Sequence, residues 1–263
     1  MIANCSGDER GKLRGGKAGD QTGREWRRRG WYNRPWTCII RFEDPGVAEW
    51  IARLAEQGCL NDLIGYSQSD RMSFWIELKK AGYQPKNIKV ACNTDCSAST
   101  LAIVKAVGYL LDIQALKDVD ASGYSGNARS ILKKAGAKIL TAEKYLTSDK
   151  YLKRGDILLL VKHHMAINLT DGSMVEKKQS AEEKKPEPAK EEKRVDVKTS
   201  MLELRRGSKG KAVKVWQTIC GASVDGDFGA NTEKKTREYQ MRYALKVDGI
   251  VGKNTWAKGL EKM

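Results

Sequence analysis

Residues 94–111 read Thr-Asp-Cys-Ser-Ala-Ser-Thr-Leu-Ala-Ile-Val-Lys-Ala-Val-Gly-Tyr-Leu-Leu, and this stretch decides the fold of the N-terminal part of the chain. Asp95 is a residue type that caps helix N-termini, and the apolar residues from Leu101 onward recur at helical spacing. The pattern predicts a buried helix over residues 97–111, with Cys96 in its first turn. Because a helix start favours a thiolate and can stabilise an oxyanion, Cys96 is a candidate nucleophile. The alternative is a buried structural cysteine.

The chain has two histidines, and they are adjacent. They follow Gly155-Asp156-Ile-Leu-Leu-Leu, a short apolar run that predicts a buried strand. His163-His164-Met-Ala-Ile-Asn-Leu then predicts a second strand. Since side chains alternate along a strand, only one of the two imidazoles can face Cys96. Any histidine-dependent chemistry must therefore use His163 or His164.

The order of these segments resembles the papain-like cysteine peptidases of the cell wall, of the NlpC type, and the related CHAP amidases and endopeptidases. The shared signature is Asp-Cys-Ser at a helix start, then Gly-Asp-hydrophobic, then His-hydrophobic-small-Ile on a strand. Residues 16–23 and 31–36 are also similar to stretches of phage-type endolysins. The resemblance implies an α+β, papain-like catalytic domain over residues 1–174. In it Cys96 attacks an amide carbonyl and His164, which precedes Met-Ala-Ile, acts as the base.

The residue that orients the imidazole is less closely defined. Folding residues 164–176 as a hairpin about Asp171-Gly172 places Glu176 opposite His164, where the family carries a polar residue. Asp20 and Gln21 from the glycine-rich N-terminal stretch are alternatives. Asn168 shares the strand face of His164 but lies about 13 Å along the strand, too far to touch it.

Two further residues are expected beside the nucleophile. The resemblance suggests that Tyr66 lines the oxyanion side of the site, and Ser97 is an auxiliary residue there. The alternative for Tyr66 is packing in the core.

Three more helices are predicted over residues 47–57, 70–81 and 127–135, the second beginning at Asp70.

Residues 175–200 predict a flexible linker. Between 176 and 198 this segment contains eight basic and seven acidic residues, two prolines and almost no large apolar side chain. Such a composition cannot bury enough surface to offset the entropy of ordering. Pro186 and Pro188 argue against the alternative of a charged helix.

Residues 201–263 contain an internal repeat with an offset of 23 residues. Gln217 aligns with Gln240, and Val-Asp-Gly, Gly and Asn-Thr recur in both copies. With Leu204-x-x-Gly-x-x-Gly and Asp225-Gly-Asp-Phe228-Gly, the repeat resembles the peptidoglycan-binding domain of cell-wall hydrolases. The resemblance implies a small all-α, three-helix domain. Its candidate wall-binding residues are Trp216, Asp225, Phe228, Tyr239 and Asp248, although Trp216 and Tyr239 could instead belong to the core.

Composition limits the partners and the compartment. The formal charge of +15 indicates a polyanionic partner, which could be a cell wall, a membrane surface or nucleic acid. No apolar run of about 18 residues predicts a membrane span, so stable insertion is not expected. The six cysteines and the lack of a secretory signal favour synthesis in the cytoplasm, with action on the wall after release. Two adjacent histidines do not make a zinc site, so neither metal nor cofactor is expected.

The function expected from these features is that of an endolysin-type peptidoglycan hydrolase, which cleaves an amide bond by a Cys–His mechanism. The alternatives are a cell-wall-binding protein without catalysis and a lysozyme-type glycosidase that uses two carboxylates. The Trp- and Arg-rich residues 26–36 could also bind single-stranded nucleic acid. Similarity to endolysins favours their packing in the catalytic domain, with no nucleic-acid partner.

Overall fold

A computed structural model describes residues 1–175, 203–243 and 245–260. The chain divides into two compact units, residues Met1–Val175 and Glu176–Met263. Apart from Val175, the predicted linker lies outside the described residues. Among the described helices, none combines the length and apolar character needed to cross a bilayer.

The first unit is built on a six-stranded sheet whose neighbouring strands are all antiparallel. Its strands are β1 (Ile2–Cys5), β2 (Trp26–Arg29), β3 (Cys38–Arg41), β6 (Lys138–Leu140), β7 (Ile157–Leu160) and β8 (His164–Asn168), in the spatial order β2-β1-β8-β7-β3-β6. Two further strands, β4 (Ile64–Tyr66) and β5 (Cys92–Thr94), form a separate parallel pair. The predicted strands around 156–161 and 164–169 are confirmed as β7 and β8.

The helices confirm the α+β class. They are α1 (Pro45–Gly58), α2 (Ser73–Lys80), α3 (Cys96–Leu111), α4 (Gln114–Lys117), α5 (Ala128–Lys134) and α6 (Glu143–Leu146). The predicted helices at 47–57, 97–111 and 127–135 are confirmed as α1, α3 and α5. Helix α2 begins at Ser73 rather than at Asp70, because Gln68–Asp70 form a 3₁₀ turn and the Asp70 carboxylate accepts from the Ser73 hydroxyl (2.9 Å).

Helix α3 lies at the centre of this unit. Most of its residues are buried, including Leu101, Ile103 and Val104, and it packs against α1, α2 and β8. A helix that is apolar on all sides is stable only when other elements surround it. Its first turn therefore lies inside the unit and faces the sheet rather than open solvent.

The predicted hairpin after β8 is wrong over residues 173–175, which form no strand. The Gly172 N–H donates to the Leu152 carbonyl (2.8 Å), and the Met174 N–H donates to the Lys150 carbonyl (2.9 Å). The chain thus follows the 149–152 segment instead of returning along β8. A Cβ on Gly172 would approach the Asp149 carbonyl to 2.2 Å, so close backbone approach explains this glycine. Glu176 lies outside the described residues.

The second unit confirms the expected helical domain. Its described part contains α7 (Lys211–Cys220), α8 (Ala230–Arg242) and α9 (Lys253–Leu260). Their inner faces enclose a core formed by Leu204, Val213, Trp216, Phe228, Tyr239, Val251 and Trp256. The two copies of the repeat each supply a helix, a turn and the start of the next helix.

Candidate active site

Cys96 is the first residue of α3, as its sequence predicts. The Asp95 carboxylate caps the helix by accepting from the N–H groups of Ser97 (2.9 Å) and Ala98 (2.7 Å). The Ser97 hydroxyl donates to the same carboxylate (2.8 Å). This double cap fixes the direction of the first turn and therefore the position of the Cys96 side chain.

Arg71 connects this cap to the surrounding loops. Its Nε lies 2.6 Å from an oxygen of Asp95, and its Nη2 donates to the Ser97 hydroxyl (3.0 Å) and the Gly123 carbonyl (2.6 Å). Its Nη1 donates to the Ser122 carbonyl (3.0 Å). A single guanidinium thus neutralises the capping carboxylate and joins it to residues 122–123.

Helix α3 packs against β8, the strand that begins at His164. The registered pairs of β1 and β8 end at Ala3–Ile167. The Leu169 N–H points to β1, donating to the Met1 carbonyl, so by strand alternation the Met165 N–H points the same way. That N–H lies close enough to the Cys96 sulfur to lower the pKa of the thiol. The thiol therefore lies beside the start of β8, next to the residue that follows His164.

The thiol is protonated in this resting state. Its residue is 7% exposed, and burial together with the Asp95 charge raises the pKa of Cys96 to about 11. The Met165 N–H, the Arg71 charge and the Ser97 N–H oppose this shift without cancelling it. The N–H group at the helix start favours the thiolate, in the expected direction, but desolvation outweighs it at this buried site.

His164 is the first residue of β8 and is 4% exposed. Its Nε2 lies 2.7 Å from Oδ1 of Asn4 on β1, and that oxygen also accepts from the Tyr32 hydroxyl (3.1 Å). Because an amide oxygen only accepts, His164 Nε2 carries the proton and Nδ1 presents a lone pair. The Asn4 amide donates in turn to the Ser6 hydroxyl (2.9 Å), which fixes the orientation of the amide.

The imidazole is neutral at rest. Burial, followed by the positive charges of Arg34 and Arg29, lowers the pKa of His164 to about 4. The Trp36 ring lies 6.2 Å from the imidazole, centroid to centroid, and covers it. His163, by contrast, is exposed and precedes the strand. The hydrogen bonds of the described residues do not directly join the Cys96 sulfur to the His164 ring.

In the second unit, Gln217 organises the first turn of the repeat. Its buried amide donates to the Asp225 carboxylate (2.6 Å), the Asp227 carbonyl (3.0 Å) and the Thr232 hydroxyl (2.9 Å). Its oxygen accepts from the Gly226 N–H (2.8 Å). Gly226 has a φ of +84°, a left-handed conformation that suits glycine.

Gln240 repeats this arrangement 23 residues later. It donates to the Asp248 carboxylate (2.9 Å), the Ile250 carbonyl (2.8 Å) and the Thr255 hydroxyl (3.3 Å), and accepts from the Gly249 N–H (2.8 Å). The identities between the two copies therefore record a shared turn structure.

Comparison with known proteins follows the division into two units. Residues 2–175 match the family model of the endolysin-like domain. The chain belongs to the endolysin-like family. Residues 211–258 match the model of the peptidoglycan binding domain, so the two matches together describe an endolysin-type cell-wall protein.

A curated protein from Kitasatospora aureofaciens, "Uncharacterized protein in bpoA1 3'region", is 40% identical over 67 residues. The match covers 23% of this chain and 57% of that protein, so the chain spans little more than half the length of this relative. No solved structure matches the chain.

Within the endolysin-like domain, the predicted auxiliary residues have defined places. Tyr66 ends β4 and is buried; burial, followed by the nearby Cys96, raises the pKa of its phenol. The Ser97 hydroxyl is engaged by Asp95 and Arg71. Asp20 accepts from backbone N–H groups of residues 22–26, so it stabilises its own loop rather than His164. Gln21 likewise donates to the carbonyls of residues 18 and 19.

The predicted wall-binding residues occupy structural positions. Trp216 and Phe228 are fully buried, and Tyr239 is nearly so, with its hydroxyl donating to the Lys258 carbonyl (3.0 Å). Asp225 and Asp248 accept from the glutamine amides within their own turns. In this structure the three aromatic rings form core contacts.

Sequence reasoning missed Asn4 and Arg71. Asn4 reaches His164 through a strand pairing that joins residues 160 positions apart, and no local pattern marks it. Arg71 follows a 3₁₀ turn among other polar residues. The described residues contain no group of three or more His, Cys, Asp or Glu side chains arranged to hold a metal ion.

Proposed function

We propose that this endolysin-like protein hydrolyses an amide bond of bacterial peptidoglycan with Cys96 as nucleophile and His164 as base. The observation that carries the proposal is the position of the Cys96 sulfur at the N-terminus of α3. There it lies beside the Met165 N–H, which lowers the pKa of the thiol and follows His164, whose imidazole is oriented by Asn4. Nucleophile, base and orienting residue are the three parts that such chemistry needs.

The roles follow from the protonation states. The Cys96 thiol gives its proton to Nδ1 of His164 while the sulfur attacks the scissile carbonyl. The leaving amine takes that proton from His164 as the C–N bond breaks, and a thioester remains on Cys96. Water then gives a proton to His164, attacks the thioester and releases the acid, and the proton returns to sulfur. Asn4 stabilises the imidazolium by accepting from Nε2.

The proposal includes a papain-like fold for the catalytic unit. Two features support it: a buried helix that begins at the cysteine, and an antiparallel sheet in which the histidine strand lies beside the strand of the orienting residue. Asn4 takes the place for which Glu176 is the sequence-based candidate.

A groove of about 590 Å³ could admit the substrate. Among the residues that line it, Ser6 contacts the proposed triad, since its hydroxyl accepts from the Asn4 amide. Asp8, Glu9, Arg24 and Arg27 also line it. Side chains of both signs suit a peptide that carries both amine and carboxylate groups.

The second unit would retain the enzyme at its polymer. We propose peptidoglycan as its partner and the wall, after release from the cytoplasm, as the site of action. Binding by one unit increases the effective concentration of the other at the same polymer.

A wall-binding protein without catalysis is the second candidate, and the burial of Cys96 and His164 in neutral form favours it. The glycosidase alternative has less support, since two buried carboxylates of the unit are engaged structurally. Glu25 accepts from the N–H groups of Gln21 and Tyr66, and Asp156 pairs with Arg41 (2.6 Å).

The test is release of new amines from purified sacculi. We expect the intact chain to release them, and Cys96→Ala to reduce the rate at least about 10³-fold. Cys220→Ala, a thiol change in the second unit, should retain the rate. His164→Gln should be inactive, whereas the exposed neighbour variant His163→Gln should be active.

Three results would contradict the proposal. Equal activity of Cys96→Ala would make Cys96 structural, and new reducing ends would then indicate a glycosidase. Binding to sacculi without any amine release would leave the wall-binding protein. Loss of activity in His163→Gln alone would transfer the base to His163.

A further inference from the structure

Helix α2, the turn that follows it and helix α3 present a cluster of three aromatic rings that the proposed chemistry does not use. The rings of Tyr83 and Tyr109 are stacked, with centroids 4.4 Å apart and planes inclined by 6°. Trp75 lies 6.1 Å from Tyr83 and 6.4 Å from Tyr109. Tyr109 is 41% exposed, and the other two residues are partly exposed. We call Trp75, Tyr83 and Tyr109 the aromatic platform.

The backbone at Tyr83 supports a specific placement of its ring. Tyr83 has a φ of +62°, a left-handed backbone conformation that costs residues with a Cβ about 1 kcal/mol or more. It follows Gly82, which is also left-handed, and its N–H donates to the Leu78 carbonyl (2.8 Å) at the end of α2. The tyrosine is therefore kept in a strained position in which its ring covers one face of Tyr109.

Three lysines lie over rings of the platform. The ammonium groups of Lys79 and Lys105 lie over the Trp75 ring, each 5.8 Å from its centroid, and that of Lys117 lies over the Tyr109 ring, 5.8 Å from its centroid. Lys105 donates to two backbone carbonyls, and Lys117 pairs with Asp112. Asp120 faces Lys105 as a second nearby carboxylate. Lys79 supplies a third cation, and we call Lys79, Lys105 and Lys117 the lysine rim.

We propose that the aromatic platform binds a glycan strand that carries carboxylates, as a second polymer site on the catalytic unit. Sugar rings present C–H groups on their faces, and these pack on flat aromatic side chains. Carboxylates along the same strand would meet the lysine rim. The inference rests on the proposed function for the identity of the polymer, but not on the catalytic role of Cys96.

The platform is well placed to guide the polymer. Tyr109 lies thirteen residues after Cys96 on the same helix, a distance of about 20 Å along the axis at ~1.5 Å per residue. A rigid helix therefore sets the spacing between the platform and the nucleophile. A strand bound there would keep neighbouring stem peptides near the site between cleavage events.

The test measures binding of the full-length Cys96→Ala chain to soluble glycan strands of alternating N-acetylglucosamine and N-acetylmuramic acid, stripped of peptide. We expect Tyr109→Ala to weaken binding about five- to tenfold, and Tyr109→Phe, which keeps the ring, to bind like the parent. Tyr124→Ala removes an exposed tyrosine elsewhere on the unit and should also bind like the parent. Lys79→Glu should weaken binding most at low salt.

Unchanged binding in Tyr109→Ala and Lys79→Glu, or no binding by the parent, would overturn the inference and leave the proposed function standing. Tighter binding of oligodeoxythymidylate than of glycan, lost in Tyr109→Ala, would overturn it in favour of a nucleic-acid surface. Conversely, weakened glycan binding in Tyr109→Ala, with no amine release by the wild-type chain, would retain the platform and reject the proposed hydrolase.

Discussion

At Cys96, two charges and two backbone N–H groups act on one sulfur atom within a buried site. Desolvation and the Asp95 carboxylate favour the thiol, whereas the Met165 N–H and the Arg71 guanidinium favour the thiolate. Arg71 contacts Asp95 directly at 2.6 Å, so it neutralises the carboxylate that would otherwise repel a thiolate. We infer that Arg71 is a positioning residue, which lowers the pKa of the Cys96 thiol through its contact with the helix cap.

This inference predicts opposite effects for two variants. With the pKa of Cys96 at about 11, its alkylation by iodoacetamide should accelerate about tenfold per pH unit from pH 7 toward 11, because only the thiolate reacts. At pH 8 we expect Arg71→Gln to slow alkylation about three- to tenfold. Asp95→Asn, which preserves a capping side chain, should accelerate it by a similar factor. Mass spectrometry of the Cys96 peptide gives the rates.

The exposed variant Ser130→Ala is the control and should match the parent at every pH. An alkylation rate that reaches its plateau below pH 9 would show that the pKa of the Cys96 thiol is not raised. Slower alkylation in both variants would indicate that Arg71 and Asp95 act only through the integrity of the cap.

At the scale of elements, the features predicted correctly from the sequence are helix starts and ends that neighbouring residues determine. Asp95 begins α3 and the glycines at 82 and 136 follow α2 and α5, because caps and stops are read within one turn of helix. The predicted hairpin after β8 does not form, because the N–H groups of Gly172 and Met174 donate to the carbonyls of residues 152 and 150 respectively. Asn4 could not be predicted because its contact with His164 depends on which strands become neighbours, and that is decided by packing of the whole sheet.

The glutamine-centred turns of the second unit give the next prediction. Gln217→Leu leaves the Gly226 N–H without its buried acceptor and removes the amide donor to the Asp225 carboxylate and the Thr232 hydroxyl. We therefore expect the free energy of unfolding of this unit to fall by about 3 kcal/mol. Thr218→Ala, an exposed change on the same helix, should cost less than about 0.5 kcal/mol. Urea unfolding followed by hydrogen exchange of the second unit measures both. Equal losses in the two variants would contradict a structural role for the amide.

For the whole molecule, charge is the property that reaches beyond any single site. A net charge of +15 spread over the chain attracts an anionic wall through long-range forces, and salt screens these forces. Raising ionic strength from 0.1 M to 1 M shortens the screening length from about 10 Å to about 3 Å. We therefore expect the affinity of the Cys96→Ala chain for sacculi to fall about tenfold, measured by co-sedimentation. Sacculi stripped of anionic polymers and amidated at their carboxylates are the control, and there affinity should be lower and insensitive to salt. Salt-independent binding to untreated sacculi would instead assign the affinity to hydrogen bonds and apolar contacts, because short-range contacts are not screened.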